Sequence, residues 1–253
     1  MATIDDETHD TILGRAITIV QTKNGYRFSV DSILLARFAT ARSGDRILEL
    51  GAGCGVIAAA IDAIARPREI VAIEIQPRMA ELIERNAAIN GFTNLRAVCA
   101  DLRAKTIAGL KPASFDLVVA NPPFHARLAG RESPNRSRRQ ARGGEGASCE
   151  EFVAAARRYV RNGGRVAMIF AATRTAELVS TMRARRLEPK RLRFVHPRLG
   201  LPASSVMVEA RANGGIEVIV EPPLILEERA GVYTREAHAL LNGPPRAPRA
   251  ELT

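Results

Sequence analysis

Apolar residues fall into short runs set between longer stretches where they recur at helical spacing. Arg46-Ile47-Leu48-Glu49-Leu50, Glu69-Ile70-Val71-Ala72-Ile73, Leu95 to Ala100, Phe115 to Ala120 and Val166 to Phe170 are brief and mostly apolar. Runs of that length read as strands, and the continuous apolar run from Phe115 to Ala120 reads as a strand buried on both faces of a parallel sheet. Between them, Val56 to Ala65, Pro77 to about Asn90-Gly91, Glu150 to Arg161 and about Arg174 to Arg186 read as helices. Pro77 suits a first helical turn, and Gly163-Gly164 supplies a stop. Strands alternating with helices predict an α/β fold.

The ends of the chain depart from this rhythm. Residues 1–10 read as a loose tail, Ile17 to Gln21 alternates like a short strand, and Asn24-Gly25 marks a turn. Ile33, Leu34 and Phe38 share one helical face, with Asp31 or Ser32 as candidate caps. Late in the chain, Leu192 to Val195 and Val206 to Ala210 read as strands. Asn213-Gly214-Gly215 predicts a hairpin between the second of these and Ile216 to Val220. The end from Gly243, rich in proline, predicts disorder.

A chain of 253 residues can bury a sizeable core as one large domain or two small ones. The formal charge of +10 is carried mostly by arginine and suits a polyanionic partner. Cys54, Cys99 and Cys149 are odd in number and far apart. They fit neither a disulfide framework nor a zinc site, and they point to a reducing cytoplasm. The acidic N-terminus is unlike a signal peptide, and no apolar run is long enough to span a membrane.

The candidate chemistry gathers at strand ends. The first strand of the alternation runs into Gly51-Ala52-Gly53-Cys54-Gly55, where glycines let backbone approach a ligand at a helix N-terminus. The next ends in Glu74, about where an acidic residue accepts from ribose hydroxyls in a nucleotide fold. The third ends at Asp101, and the fourth runs into Asn121-Pro122-Pro123-Phe124. Pro122 and Pro123 have no N–H, so that turn offers carbonyl acceptors, the Asn121 amide oxygen and the Phe124 ring. A planar amine fits it. Its hydrogens would go to the Asn121 oxygen and the Pro122 carbonyl, leaving the nitrogen lone pair aimed at an electrophile held in line. No metal-ligand set is visible. Beyond the turn, residues 125–146 carry Arg127, Arg131, Arg136, Arg138, Arg139 and Arg142 without apolar periodicity, which predicts a mobile loop that contacts phosphates.

These residues resemble the class I S-adenosylmethionine (SAM)-dependent methyltransferases, and more narrowly the bacterial tRNA1(Val) (adenine(37)-N6)-methyltransferases. The likeness covers about residues 12–242. Its more specific parts are Gly25 to Leu35, the Asn-Pro-Pro-Phe turn and Tyr233-Thr234-Arg235-Glu236. The resemblance implies a Rossmann-like, seven-stranded, mostly parallel sheet with an antiparallel C-terminal hairpin. It divides the chain into an N-terminal extension (1–43) that packs on the cofactor site, a methyltransferase domain (44–242) and a tail (243–253). It implies SAM as cofactor, with Glu49, Gly51, Gly53 and Gly55 around its methionine part. Glu74 would take the ribose, Asp101 with Leu102 the adenine, and Asp31 would close the pocket. Asn121 to Phe124 would present the target amine, and the partner would be tRNA or another structured RNA in the cytoplasm.

Other substrates stay open. Phe124 stands where the family more often has tyrosine, and His125 follows it, so Asn-Pro-Pro-Phe-His also resembles ribosomal RNA guanine-N2 methyltransferases. Ala141-Arg142-Gly143-Gly144-Glu145 lacks the histidine common in the family there. Release-factor glutamine and DNA adenine methyltransferases use the same turn. The positive charge argues against a protein substrate, and the lack of a separate recognition domain argues against DNA. A nicotinamide dehydrogenase fits poorly, because the loop is Gly-x-Gly-x-Gly and no hydride-site acid is apparent. A non-catalytic RNA-binding protein would not need the glycine, acidic and asparagine positions together.

Overall fold

A computed structural model describes residues 7–23, 27–123 and 147–245. Phe124, His125, the six arginines from Arg127 to Arg142, the Asn24-Gly25 turn and residues 246–253 lie outside the described residues.

Four parallel strands follow the apolar runs: β3 (Arg46–Leu50), β4 (Glu69–Glu74), β5 (Leu95–Cys99) and β6 (Phe115–Ala120). An N-terminal hairpin, β1 (Glu7–Ile12) and β2 (Ile17–Thr22), precedes them as a separate two-stranded sheet. The main sheet continues with β7 (Val160–Ala171), β8 (Leu187–Arg198) and β9 (Ser205–Ala212). These seven run in the order β5-β4-β3-β6-β7-β9-β8, with β9 antiparallel to both neighbours. β10 (Ile219–Val220), β11 (Leu224–Arg229) and β12 (Val232–Tyr233) extend the β8 side, making ten strands among the described residues.

Alternate residues of each central strand enter opposite cores. Ile47, Ile70, Ala72, Leu117 and Val119 face α1 (Val30–Phe38), α2 (Val56–Ala65) and α3 (Pro77–Ile89). Leu48, Leu50, Val71, Ile73, Val118 and Ala120 face α4 (Cys149–Tyr159) and α5 (Thr175–Ala184). Both faces are covered by helices, which is why these strands read as continuous apolar runs. The last helix, α6 (Arg235–Asn242), is capped by Thr234, whose hydroxyl accepts from the Ala237 N–H.

Three expectations need correction. Residues 7–12 are a strand rather than part of a loose tail. Their hairpin turns through Leu13, Gly14 and Arg15 at positive φ, with no Asn-Gly signature to announce it. The helix near Ile33 is capped neither by Asp31 nor by Ser32. Ser29 is its N-cap residue, and Asp31 lies in its first turn. The predicted hairpin partner of Val206 to Ala210 is also different. β9 pairs with β7 and β8, while Ile219–Val220 joins β8 in parallel at Arg191 and Leu192. The polar positions along β8 disguised its long pairing with β9, and Ile216, Val218, Ile219 and Val220 stay exposed.

Candidate active site

Strand register puts the candidate residues side by side. Leu50 pairs with Ile73 on one side and Ala120 on the other. The next residues, Gly51, Glu74 and Asn121, therefore sit on one level at the carboxyl edge of the sheet, with the outer two roughly 10 Å apart at the usual strand spacing. β3 is followed outward by β4 and β5, after which the chain returns to β6 on its other side. That reversal is the switch point where open α/β sheets bind ligands.

The glycine loop is built for close approach. Gly51, Gly53 and Gly55 all have positive φ, at 67°, 58° and 80°. A Cβ on Gly51 would stand 3.0 Å from Cζ of Phe152, a buried α4 residue, so the loop lies flat against that ring. At Gly53 nothing lies within 4 Å of where a Cβ would stand, so this part of the loop faces open space.

Two carboxylates hold the loop from different sides. Glu74 Oε2 accepts the Gly53 N–H at 2.9 Å and Oε1 accepts the Gln76 N–H at 2.9 Å. A carboxylate has about four acceptor positions, so about two remain for a ligand. Glu49 lies beneath, 1% exposed, and its Oε2 accepts the Ala58 N–H in the first turn of α2 at 2.9 Å. Burial pushes its carboxyl up to about 8, against the pull of that N–H and with the help of the nearby Glu74 charge.

Asp101 is already engaged. Arg103 donates through Nε and Nη2, at 2.9 and 2.7 Å, and through its backbone N–H. These contacts hold the Asp101 carboxyl below the usual carboxylate range. Leu102 between them is buried in the core.

The Asn121 turn meets α1. Asn121 Nδ2 donates to Ser32 Oγ at 3.4 Å, Pro122 is buried and Pro123 is exposed. One residue earlier, Asp31 Oδ1 accepts from Ser205 Oγ at 3.3 Å, so the start of α1 also ties to β9. Burial raises the Asp31 carboxyl. The structure thus brings Gly51, Gly53, Glu74 and Asn121 together on one edge, with Ser32 of α1 against Asn121, and places Glu49 under the loop.

Sequence reasoning missed three contributors. Ser32 is a cap candidate and a neighbour of Asp31 by sequence, with no pointer to Asn121, although a serine amid Ile33, Leu34 and Leu35 is itself a signal that a buried hydroxyl needs a partner. Asn86 ties β2 to the glycine loop. Its carboxamide accepts from the Val20 N–H and donates to the carbonyls of Val20 and Cys54. A second asparagine at Asn90, four residues on, makes the matching pair of bonds with Thr18, and that spacing was legible. Phe152 carries no such signal, since only tertiary packing brings α4 to Gly51.

The methyltransferase small domain pattern matches residues 28–185. The chain belongs to this family. It is 32% identical over 111 residues to a tRNA1(Val) (adenine(37)-N6)-methyltransferase from a Flavobacteriaceae bacterium (strain 3519-10), covering 44% of this chain and 46% of that one. It is 29% identical over 168 residues to an enzyme of the same name from Porphyromonas gingivalis (strain W83), covering 63% of this chain and 64% of that one. The match thus spans about half to just under two thirds of these relatives. Among solved structures, a predicted O-methyltransferase from Agrobacterium tumefaciens superposes with a TM-score of 0.68 at 23% identity, covering 87% of this chain and all of that one. That likeness shows the class I methyltransferase fold.

The chain thus carries a methyltransferase domain over residues 28–185, and the resemblance implies S-adenosylmethionine as its cofactor. The edge residues suit that molecule: open space and backbone at Gly53, spare acceptor positions on Glu74, and a further carboxylate at Asp101.

Proposed function

We propose that this protein methylates the exocyclic N6 amine of an adenine in tRNA, at the adenine-37 site of tRNA1(Val) that its relatives' names give, and that it works in the cytoplasm. The observation that carries the reading is the Asn121-Pro122-Pro123 turn, level with Gly51 and Glu74 at the carboxyl edge of the sheet. Bound SAM supplies an electrophilic sulfonium methyl. The chain supplies position and hydrogen-bond acceptors.

In this reading Gly51, Gly53 and Gly55 pass backbone along the methionine part, and Glu49 supports them by holding α2. Glu74 accepts from the ribose hydroxyls. Asp101 accepts from the cofactor's adenine amine beside Leu102, sharing its carboxylate with Arg103. Asp31 closes the pocket from the N-terminal side. The Asn121 amide oxygen and the Pro122 carbonyl accept the two hydrogens of the target amine, and Phe124 stacks on the base. The target base leaves its stack to reach them. Arg127, Arg131, Arg136, Arg138, Arg139 and Arg142 contact RNA phosphates. Residues 44–242 form the catalytic domain, with 1–43 packed on the cofactor side and 243–253 as a tail.

The test supplies labelled SAM with unmodified tRNA, ribosomal RNA, duplex DNA or release factor, and identifies the product by digestion and mass spectrometry. N6-methyladenosine in tRNA is expected, and Asn121→Ala should abolish it while SAM binding persists. N2-methylguanosine in ribosomal RNA, or a fully active Asn121→Ala protein, overturns the reading.

A further inference from the structure

We propose that Ser32 is a positioning residue that holds the Asn121 carboxamide in place from α1. The inference rests on the reading of Asn121 as the acceptor for the target amine. An acceptor aimed at one amine works only while its side chain is held in one place.

An asparagine at a turn ordinarily settles this locally, because its side-chain oxygen accepts the backbone N–H two residues on. Here that residue is Pro123, and the one before it is Pro122, so neither has an N–H to give. The Asn121 oxygen is deprived of its usual local partner, and the side chain must be held from elsewhere.

Ser32 does this from another element. Its hydroxyl is the acceptor for Asn121 Nδ2, at 3.4 Å, across 89 residues of sequence. The residue is 3% exposed in a helix whose neighbours Ile33, Leu34 and Leu35 are core, so water does not readily replace it. A buried hydroxyl in that setting carries a desolvation cost unless it is hydrogen-bonded. In this arrangement Nδ2 is taken up by Ser32, and Oδ1 is the end left to accept. The bond is long, as catalytic hydrogen bonds often are before substrate tightens them. The frame holding Ser32 is firm. Ile33, Leu34, Leu35 and Phe38 are buried, and Asp31 accepts from Ser205 on β9.

Two measurements test this on the whole protein. In the first, 15N NMR of the protein alone follows the Asn121 side-chain NH2 pair, assigned by its loss in Asn121→Ala. Ser32→Ala should shift that pair and speed its exchange with water, and Ser32→Thr should restore it. An unmoved pair in Ser32→Ala overturns the proposal. The second uses labelled SAM with an unmodified tRNA pool. Ser32→Ala should lower kcat by roughly tenfold, the worth of one hydrogen bond, with SAM affinity within about twofold and recovery in Ser32→Thr. Wild-type kcat in Ser32→Ala beside an inactive Asn121→Ala defeats the role of Ser32 and leaves the Asn121 reading intact. Full activity in Asn121→Ala defeats the underlying reading instead. A loss of SAM affinity matching the loss of kcat makes Ser32 a pocket residue and also overturns the proposal.

Discussion

The Glu49 carboxylate accepts the Ala58 N–H at 2.9 Å across the turn from β3 to α2, with almost no contact with solvent. It links the strand to the helix under the glycine loop. Its position also makes stability depend on pH.

Burial raises the Glu49 carboxyl from 4.5 to about 8 in the folded chain. Between those values the folded state holds a proton that the unfolded state has released, so stability falls as pH rises. The contribution is whole below about pH 4.5 and gone above about 8. Glu49→Gln keeps an acceptor for Ala58 and removes the titration. Melting temperatures from pH 5 to 8 should therefore fall more steeply in the wild type than in Glu49→Gln. Parallel curves would show that Glu49 stays ionised.

Gly51→Ala combines two faults, a side chain at φ 67° and a Cβ 3.0 Å from Phe152. We expect destabilisation of about 1–3 kcal/mol, as for other strained backbone positions, and weaker SAM binding. Adding Phe152→Leu should recover only part of the stability, since it relieves the contact and not the backbone. Denaturant melts and calorimetric titration with SAM measure both effects.

Arg103 competes with any ligand for Asp101. Both side chains are partly exposed, 40% and 35%, so the pair is worth only about 0.2–1 kcal/mol. Arg103→Ala should cost no more than about 1 kcal/mol of stability and tighten SAM binding by about two- to fivefold on that energy scale. Asp101→Asn should weaken it. Weaker binding in Arg103→Ala would instead make the guanidinium a cofactor contact.

Asn86→Ala strips partners from the Val20 N–H and from the carbonyls of Val20 and Cys54. Leaving buried backbone groups unpaired costs about 1–3 kcal/mol each at most, and we expect a total loss of about 2–4. Hydrogen exchange at Val20 should quicken far more than at Leu48 in the central strand. Equal protection at both would show that the hairpin does not depend on this side chain.

Much of the fold was legible because its signals are local. Val56–Ala65 begins and ends where glycine and apolar spacing place it, and Pro77 starts α3 as its fixed φ allows. Strands β3, β4 and β6 were legible because burial on both faces keeps them mostly apolar, and β5, at the sheet's edge, because it is a short run between turns. β1 was not, since Glu7 to Ile12 is mostly polar and gains its place by pairing with β2 and by the Arg85–Glu7 ion pair. β9 was visible as a strand but its partners were not, because β8 and β9 are matched by long-range pairing along a largely polar strand.

The sequence by itself determined the α/β alternation, the glycine loop, the acidic strand ends and the Asn-Pro-Pro turn, because each depends on residues close together in the chain. Tertiary structure alone decided how these pieces face one another. Register sets Gly51, Glu74 and Asn121 on one level, and packing turns Glu49 under the loop toward α2. It also brings Ser32 against Asn121 and Arg103 onto Asp101. Those relations follow from strand pairing and helix packing between distant segments, and a one-residue slip in either strand would undo them.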